Sequence, residues 1–185
     1  ASLTVQVRKP SYQTVWALVD GNWRTGNFPG IPARFDPVAA TEPPGNAAVI
    51  PGVLRLVPFG AIGLWIFTRR LRQDAQSMVA FATVTTVLFF LWAQGWSPQW
   101  VVTLAPLILL CFPTREGVLA CVLLSALAFI EYPVLFMRTG ATDGAVSGAL
   151  VLPYAMIILI RTGLLAGLVV ALVRLLRSVD DGATL

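Results

Sequence analysis

Long apolar runs occupy most of this 185-residue chain and constrain its fold more than any other feature. They begin near residue 47 and are separated by short connections that contain arginine, glycine or proline. Runs of this length are typical of membrane-spanning helices, whereas strands would give short alternating segments. Only 12% of the residues are charged, against about 25% in soluble domains, which excludes a soluble globular protein. The sequence therefore predicts an all-α, polytopic transmembrane helical bundle.

The apolar runs predict about five spans. Their expected boundaries are 47–68, 78–94, 100–112, 118–137 and 149–172, with a cytoplasmic tail at 178–185. The third span would be only about 20 Å long at 1.5 Å per residue, against a hydrocarbon core of about 30 Å, and it contains Pro106. Two interpretations stay open: a short or broken helix that lines a cavity, and an ordinary span in a locally thinned membrane.

The arginines between the spans predict the orientation. If the connection after the first span is cytoplasmic, six arginines of the short connections and the tail share that side: Arg69, Arg70, Arg72, Arg115, Arg174 and Arg177. Arg138 alone among the short connections then lies outside, as the positive-inside rule requires. We therefore expect a plasma-membrane protein with residues 1–46 external and the C-terminus cytoplasmic.

The polar residues 1–46 are expected to carry a short interfacial helix. Tyr12, Val15, Trp16 and Val19 follow the i, i+3, i+4, i+7 spacing of one helical face, and Gly21 ends the pattern. An apolar stripe with aromatic residues is typical of a helix at a membrane surface, so we expect one near residues 11–20. The glycines and prolines that follow predict a loop.

Several chemistries are excluded by composition. The sequence has no histidine, which removes histidine-ligated metals and haem as well as Ser-His and Cys-His catalysis. Cys111 and Cys121 lie in apolar runs without a CxxC spacing, so we expect small buried side chains. No carboxylate pattern indicates a metal, cofactor or catalytic base. The net charge of +4 comes from scattered arginines, which fits membrane orientation rather than nucleic-acid binding.

Residues 92–100 (WAQGWSPQW) form the most informative segment. Three tryptophans recur every fourth residue, with amide and hydroxyl side chains between them. An aromatic belt at the membrane interface is one interpretation. The other is a sugar or lipid-headgroup site, because indoles stack on sugar CH groups and amides bond to hydroxyls. The candidate residues are Trp96, Ser97, Gln99 and Trp100.

Three ionisable residues fall inside predicted spans: Arg55, Glu131 and Arg161. Such residues are costly in a membrane and are functional candidates by default. In the functional interpretation they face a cavity open to the outer leaflet, where the two arginines hold a phosphate or pyrophosphate. In the alternative, Glu131 and Arg161 form a structural pair and Arg55 extends outward to the interface.

The segment at residues 94–110 (QGWSPQWVVTLAPLILL) resembles a late-span motif of polytopic GT-C glycosyltransferases. The resemblance is closest to family 87, the polyprenol-phosphate-mannose-dependent mannosyltransferases, in which a Ser-Pro-Gln-aromatic turn opens a span; the matching positions are 97–100. Residues 8–21 resemble the family's external loop before its last spans, and residues 159–178 resemble its C-terminal helix. The three segments occur in the family's order.

This resemblance implies transfer of a sugar from a polyprenyl-phosphate donor on the outer membrane face. It covers only the family's C-terminal half, and nothing matches the external loop that carries the family's catalytic Asp, so no catalytic residue is carried over. The chain begins with Ala1 rather than Met. We therefore expect a processed chain or part of something longer, with a companion N-terminal half or other membrane subunits as partners.

Two further functions stay open. One is a non-catalytic structural subunit of a larger integral membrane complex, with membrane lipid filling the cavity. The other is a fragment of a transporter, although five spans do not divide into paired inverted halves.

Overall fold

The computed structural model describes residues 10–26, 45–68 and 74–181, with side chains up to residue 177, and within these ranges every regular element is helical. The α-helices are α1 (Val15–Val19), α2 (Gly52–Phe67), α3 (Ala75–Trp92), α4 (Gln99–Cys111), α5 (Arg115–Phe129), α6 (Phe136–Thr139) and α7 (Val151–Asp181). A π-helical stretch at Ile130–Leu135 joins α5 to α6, and short 3-10 turns cover Gly140–Thr142 and Gly148–Leu150.

Within the described residues, three helical runs are long and apolar enough to cross a membrane. They are Ala75–Trp92, Arg115–Thr142 and Gly148–Arg177, of 18, 28 and 30 residues. The prediction of an all-helical chain is confirmed for the described residues, and three of the five predicted spans lie on helices of membrane-crossing length. Helices α2 and α4 are also apolar but have only 16 and 13 residues.

The observed helices overlap the predicted spans but begin and end at different residues. Helix α3 begins at Ala75 because the Asp74 carboxylate caps it, accepting a hydrogen bond from the Ser77 amide over 2.8 Å. Helix α7 continues to Asp181, so the first residues of the predicted tail are helical. The arginines at 69, 70 and 72 and most of residues 1–46 lie outside the described ranges.

The core lies between α3, α4, α5 and α7. Its fully buried side chains include Val84 of α3, Leu104 and Ile108 of α4, and Leu172 of α7. Helix α4 is unbroken despite Pro106. It is shifted by one residue from the predicted span, beginning at Gln99 instead of residue 100 and ending at Cys111 instead of residue 112. The residues of the predicted third span therefore form one 13-residue helix.

The segment of residues 10–26, here called the N-terminal segment, packs on one end of this bundle. Its helix begins at Val15 rather than near residue 11 because the Tyr12 amide donates to the Gln94 carbonyl over 2.9 Å, outside any helical pattern. Tyr12 and Gly95 form an isolated parallel β-bridge. Ala17 is completely buried, whereas Val19, on the predicted apolar stripe, is 46% exposed.

Candidate functional site

Arg55 is the centre of a buried polar cluster under the N-terminal segment. Its side chain donates to the Asp20 carboxylate over 2.5 Å, to Gln94 Oε1 over 2.8 Å and to the Ile50 carbonyl over 2.7 Å. The guanidinium also lies 4.8 Å from the centre of the Trp16 ring. Each nitrogen of Arg55 thus has a partner, and the side chain is folded inward rather than extended to the interface.

The Asp20 carboxylate in turn accepts more than the bond from Arg55. Ser11 Oγ donates to Oδ2 over 2.5 Å, and the Val49 amide donates to Oδ1 over 2.8 Å. These donors satisfy the oxygens of the buried carboxylate, and its negative charge balances the positive charge of the buried Arg55 guanidinium. Asp20 was not among the candidate site residues, because nothing in its sequence surroundings distinguishes it from the other carboxylates of residues 1–46.

Arg161 is the centre of a second buried cluster. It donates to the Glu131 carboxylate and to the backbone carbonyl of Gln13. Its guanidinium carbon lies 4.4 Å from the centre of the Trp96 ring, which is cation–π geometry. The Glu131 side chain also accepts from Gln13 Nε2 over 3.1 Å, so carboxylate, guanidinium and amide form one network. The alternative in which Glu131 and Arg161 pair is the arrangement found.

Gln13 enters this network with an unusual backbone. Its φ of +53° is in the left-handed region, which non-glycine residues seldom adopt. The conformation is held by Tyr154, whose hydroxyl accepts from the Gln13 amide over 3.2 Å and donates to the Arg24 carbonyl over 2.7 Å. Such outliers persist where the surroundings over-determine them, as they do here.

The π-helical stretch Ile130–Leu135 positions Glu131 and Tyr132. It contains Pro133, which has no amide hydrogen to donate to the helix. Glu131 reaches Arg161 from this stretch, and the Tyr132 hydroxyl donates to the Trp96 carbonyl over 2.7 Å. Single π-helical turns inside α-helices are frequent at functional sites.

The tryptophans of residues 92–100 pack inward. Trp92 and Trp96 are buried, and the Trp92 indole donates to the Gly52 carbonyl over 3.0 Å. Trp100 stacks on Phe90 with ring centres 4.3 Å apart and planes 10° apart, which occupies one face of its indole. Ser97 is half-buried and Gln99 is exposed. Of the four candidates in this segment, Gln99 is therefore the most accessible.

Two donors of the same segment have no hydrogen-bond partner among the described residues: Gln94 Nε2 and Trp96 Nε1, both buried. A cavity of about 10 Å³ lies beside Trp96 and Arg161, with Thr14 and Thr162 in its lining. This volume has room for about one water molecule. This cavity, which the described residues enclose beside Arg161, is too small for a phosphate.

Both arginines take an oxygen partner from the N-terminal segment: Arg55 from the Asp20 side chain and Arg161 from the Gln13 backbone. The clusters thus attach this segment to α2 and α7 and bring together Arg55, Trp96, Glu131 and Arg161 with the loop at residues 94–98. Sequence reasoning missed Gln13, Asp20, Gln94 and Tyr154. In the part of the chain that the structure describes, no group of three acidic or cysteine side chains is placed to hold a metal ion.

Comparison with known proteins places no relative beside this chain. It matches no known protein family, no curated protein and no solved structure.

Proposed function

We propose that this chain is the C-terminal membrane part of a glycosyltransferase that moves a sugar from a polyprenyl-phosphate donor on the outer face of the plasma membrane. In this proposal α2, α3, α4, the run from α5 to α6, and α7 are five spans. The N-terminal segment lies outside, the C-terminus lies in the cytoplasm, and a companion N-terminal half or other membrane subunits complete the enzyme.

One observation carries the proposal. The loop that bears the family resemblance packs directly on the buried cations, since Gln94 accepts from Arg55 and Trp96 lies against Arg161. A motif whose function was only to orient the protein in the interface would not need two intramembrane charges behind it. The buried N–H donors of Gln94 and Trp96 add a demand for an acceptor oxygen, which a phosphate would supply.

The roles in this site follow from exposure. Gln99 is exposed and Ser97 is half-buried, and both would bond to sugar hydroxyls. Arg55 and Arg161 would hold the donor phosphate, while Glu131 orients Arg161 and the rings of Trp96 and Trp100 border the site. Because Asp20 and Gln13 already occupy the guanidiniums, phosphate binding would require the N-terminal segment to yield at least one of these contacts.

The test uses membranes that contain the complete protein and its partners, supplied with a radiolabelled polyprenyl-phosphate hexose. We expect transfer of label to a membrane acceptor, and we expect Gln99→Ala to lower it at least tenfold. Gln76→Ala is the matched control, because Gln76 is an exposed amide at the opposite end of α3. Absence of transfer by the wild type would contradict the function, and equal transfer by both variants would contradict the site.

A second candidate function is a structural subunit of a larger membrane complex. It is favoured by the pairing of both arginines with carboxylates and by the small size of the cavity that the described residues form beside Arg161. In this case a photo-crosslinking residue at Val57, which is 60% exposed on α2, should capture one companion chain in native membranes. The Gln99→Ala variant should then leave every activity of the complex unchanged.

A further inference from the structure

A groove at the bundle end opposite the N-terminal segment combines an apolar lining with one exposed cation. It has a volume of about 820 Å³, within the range of ordinary ligand sites. Its lining consists of Leu109, Pro113, Thr114, Arg115, Val118, Leu119 and Val122, contributed by the end of α4, the start of α5 and the turn between them. All but Thr114 and Arg115 are apolar, so the groove suits a hydrocarbon chain and Arg115 suits an anion.

The turn between α4 and α5 does not reach the level at which α3 begins. Cys111, the last residue of α4, lies beside Thr83 of α3, with Sγ and Oγ1 3.4 Å apart. Thr83 is eight residues after Ala75, so the end of α4 lies about 12 Å short of the level at which α3 begins. The turn to α5 is tight, since Gly117 packs against the Phe112 carbonyl where no Cβ would fit. The turn therefore extends only a short distance beyond the end of α4.

Arg115 is exposed, and the groove residues beside it are mostly apolar. Within the described residues the ion pairs are Arg55–Asp20 and Arg161–Glu131, and neither includes Arg115. Glu116, the next residue, is exposed but does not line the groove. An unpaired guanidinium among apolar residues of membrane helices is stabilised when the bilayer thins and brings a headgroup to it.

We propose that this groove binds one anionic phospholipid of the adjacent leaflet. One acyl chain lies along Leu109, Val118 and Val122, and the phosphate and its anionic headgroup are drawn inward to the Arg115 guanidinium. A basic side chain beside an apolar crevice between membrane helices is the pattern by which anionic lipids are recognised. The proposal concerns the opposite end of the bundle and does not depend on the proposed glycosyltransferase function.

The test measures lipid binding to the purified full chain in detergent by native mass spectrometry. Phosphatidylglycerol and phosphatidylcholine of the same chain length are titrated separately. We expect one phosphatidylglycerol to bind at concentrations at which phosphatidylcholine does not. Removal of one cation contact should weaken this binding about fivefold or more. We therefore expect Arg115→Gln to do so, whereas Arg138→Gln, an exposed arginine at the far end of the same helical run, should not.

A second pair of variants tests the apolar part of the site. Val122→Trp fills the groove and should lower phosphatidylglycerol binding, whereas Leu123→Trp, on the exposed surface beside the groove, should leave it unchanged. Equal loss in Arg115→Gln and Arg138→Gln, equal binding of the two lipids by the wild type, or full binding by Val122→Trp would each overturn the proposal.

Discussion

The Arg55 guanidinium and the Asp20 carboxylate lie 2.5 Å apart, and both side chains are completely buried. Arg55 lies in the first turn of α2, and Asp20 caps the C-terminal end of α1 in the N-terminal segment. This pair therefore does more than neutralise a charge, because it fixes the segment over the bundle end that holds the candidate site.

Removing one partner of this pair should destabilise the protein strongly. We expect Asp20→Leu to lower the free energy of unfolding by about 3–5 kcal/mol, because it leaves a buried guanidinium without a carboxylate. Arg55→Met should lower the free energy of unfolding by a similar amount, because it leaves the buried Asp20 carboxylate without a cation. The double variant should lose much less than the sum of the two, and unfolding in mixed micelles measures all three. Strict additivity would show that the two charges do not stabilise each other.

The Glu131–Arg161 pair should behave in the same way within the membrane helices. We expect Glu131→Ala to cost about 3–5 kcal/mol of unfolding free energy, since only the Gln13 carbonyl would then accept from Arg161. Glu116→Gln is the matched control at an exposed position of the same helical run, and it should leave stability unchanged. Equal melting of the two variants would contradict a structural role for the pair.

The two ion pairs differ in how far sequence could predict them. Glu131 is the only acidic residue of the predicted spans, so its need for a cation indicated Arg161 among few choices. Asp20 is one of several carboxylates in a polar region, and its pairing with Arg55 depends on tertiary contacts between distant segments. Apolar periodicity likewise predicted the helices, but their ends depend on local caps such as Asp74.

The details of the candidate site were also outside the reach of sequence. The left-handed backbone of Gln13 arises from bonds to Tyr154, Glu131 and Arg161, all more than one hundred residues away. The tryptophans at 92, 96 and 100 allowed both an aromatic belt at the interface and a sugar or headgroup site. Helix α3 ends at Trp92 and α4 begins at Gln99, and the packing of the connecting loop buries Trp92 and Trp96 and half-buries Trp100.

Close approach of the N-terminal segment to Gly95 gives a third prediction. A Cβ at Gly95 would overlap the Tyr12 ring, so Gly95→Ala should lower the unfolding free energy by about 1–3 kcal/mol through overpacking. Gly60→Ala is the control, because no atom lies within 4 Å of its Cβ position, and it should be neutral or stabilise α2 by about 0.5–1 kcal/mol.

The same pair of variants can report on the segment itself. If the Tyr12–Gly95 contact holds the N-terminal segment, trypsin should cleave after Arg24 faster in Gly95→Ala than in wild type or Gly60→Ala. Mass spectrometry of the fragments identifies the site of cleavage. An unchanged rate together with reduced stability would place the damage in the loop at residues 94–98 and not in the segment.

The ionisation of the Tyr12 phenol reports whether the N-terminal segment is packed on the bundle. Burial raises the pKa of Tyr12 above its ordinary value of 10.0, because desolvation disfavours the phenolate. The unfolded chain ionises first as the pH increases, so this contribution to stability is complete below about pH 10 and is lost above it. The difference between the tyrosinate absorbance of wild type and that of Tyr12→Phe gives the titration of Tyr12 alone, and we expect its midpoint above pH 10. We also expect the stability of Tyr12→Phe to fall less steeply than that of wild type as the pH rises beyond this value. A difference spectrum that titrates at pH 10, as a free tyrosine does, would show that the phenol is in water and that the N-terminal segment is not packed on the bundle.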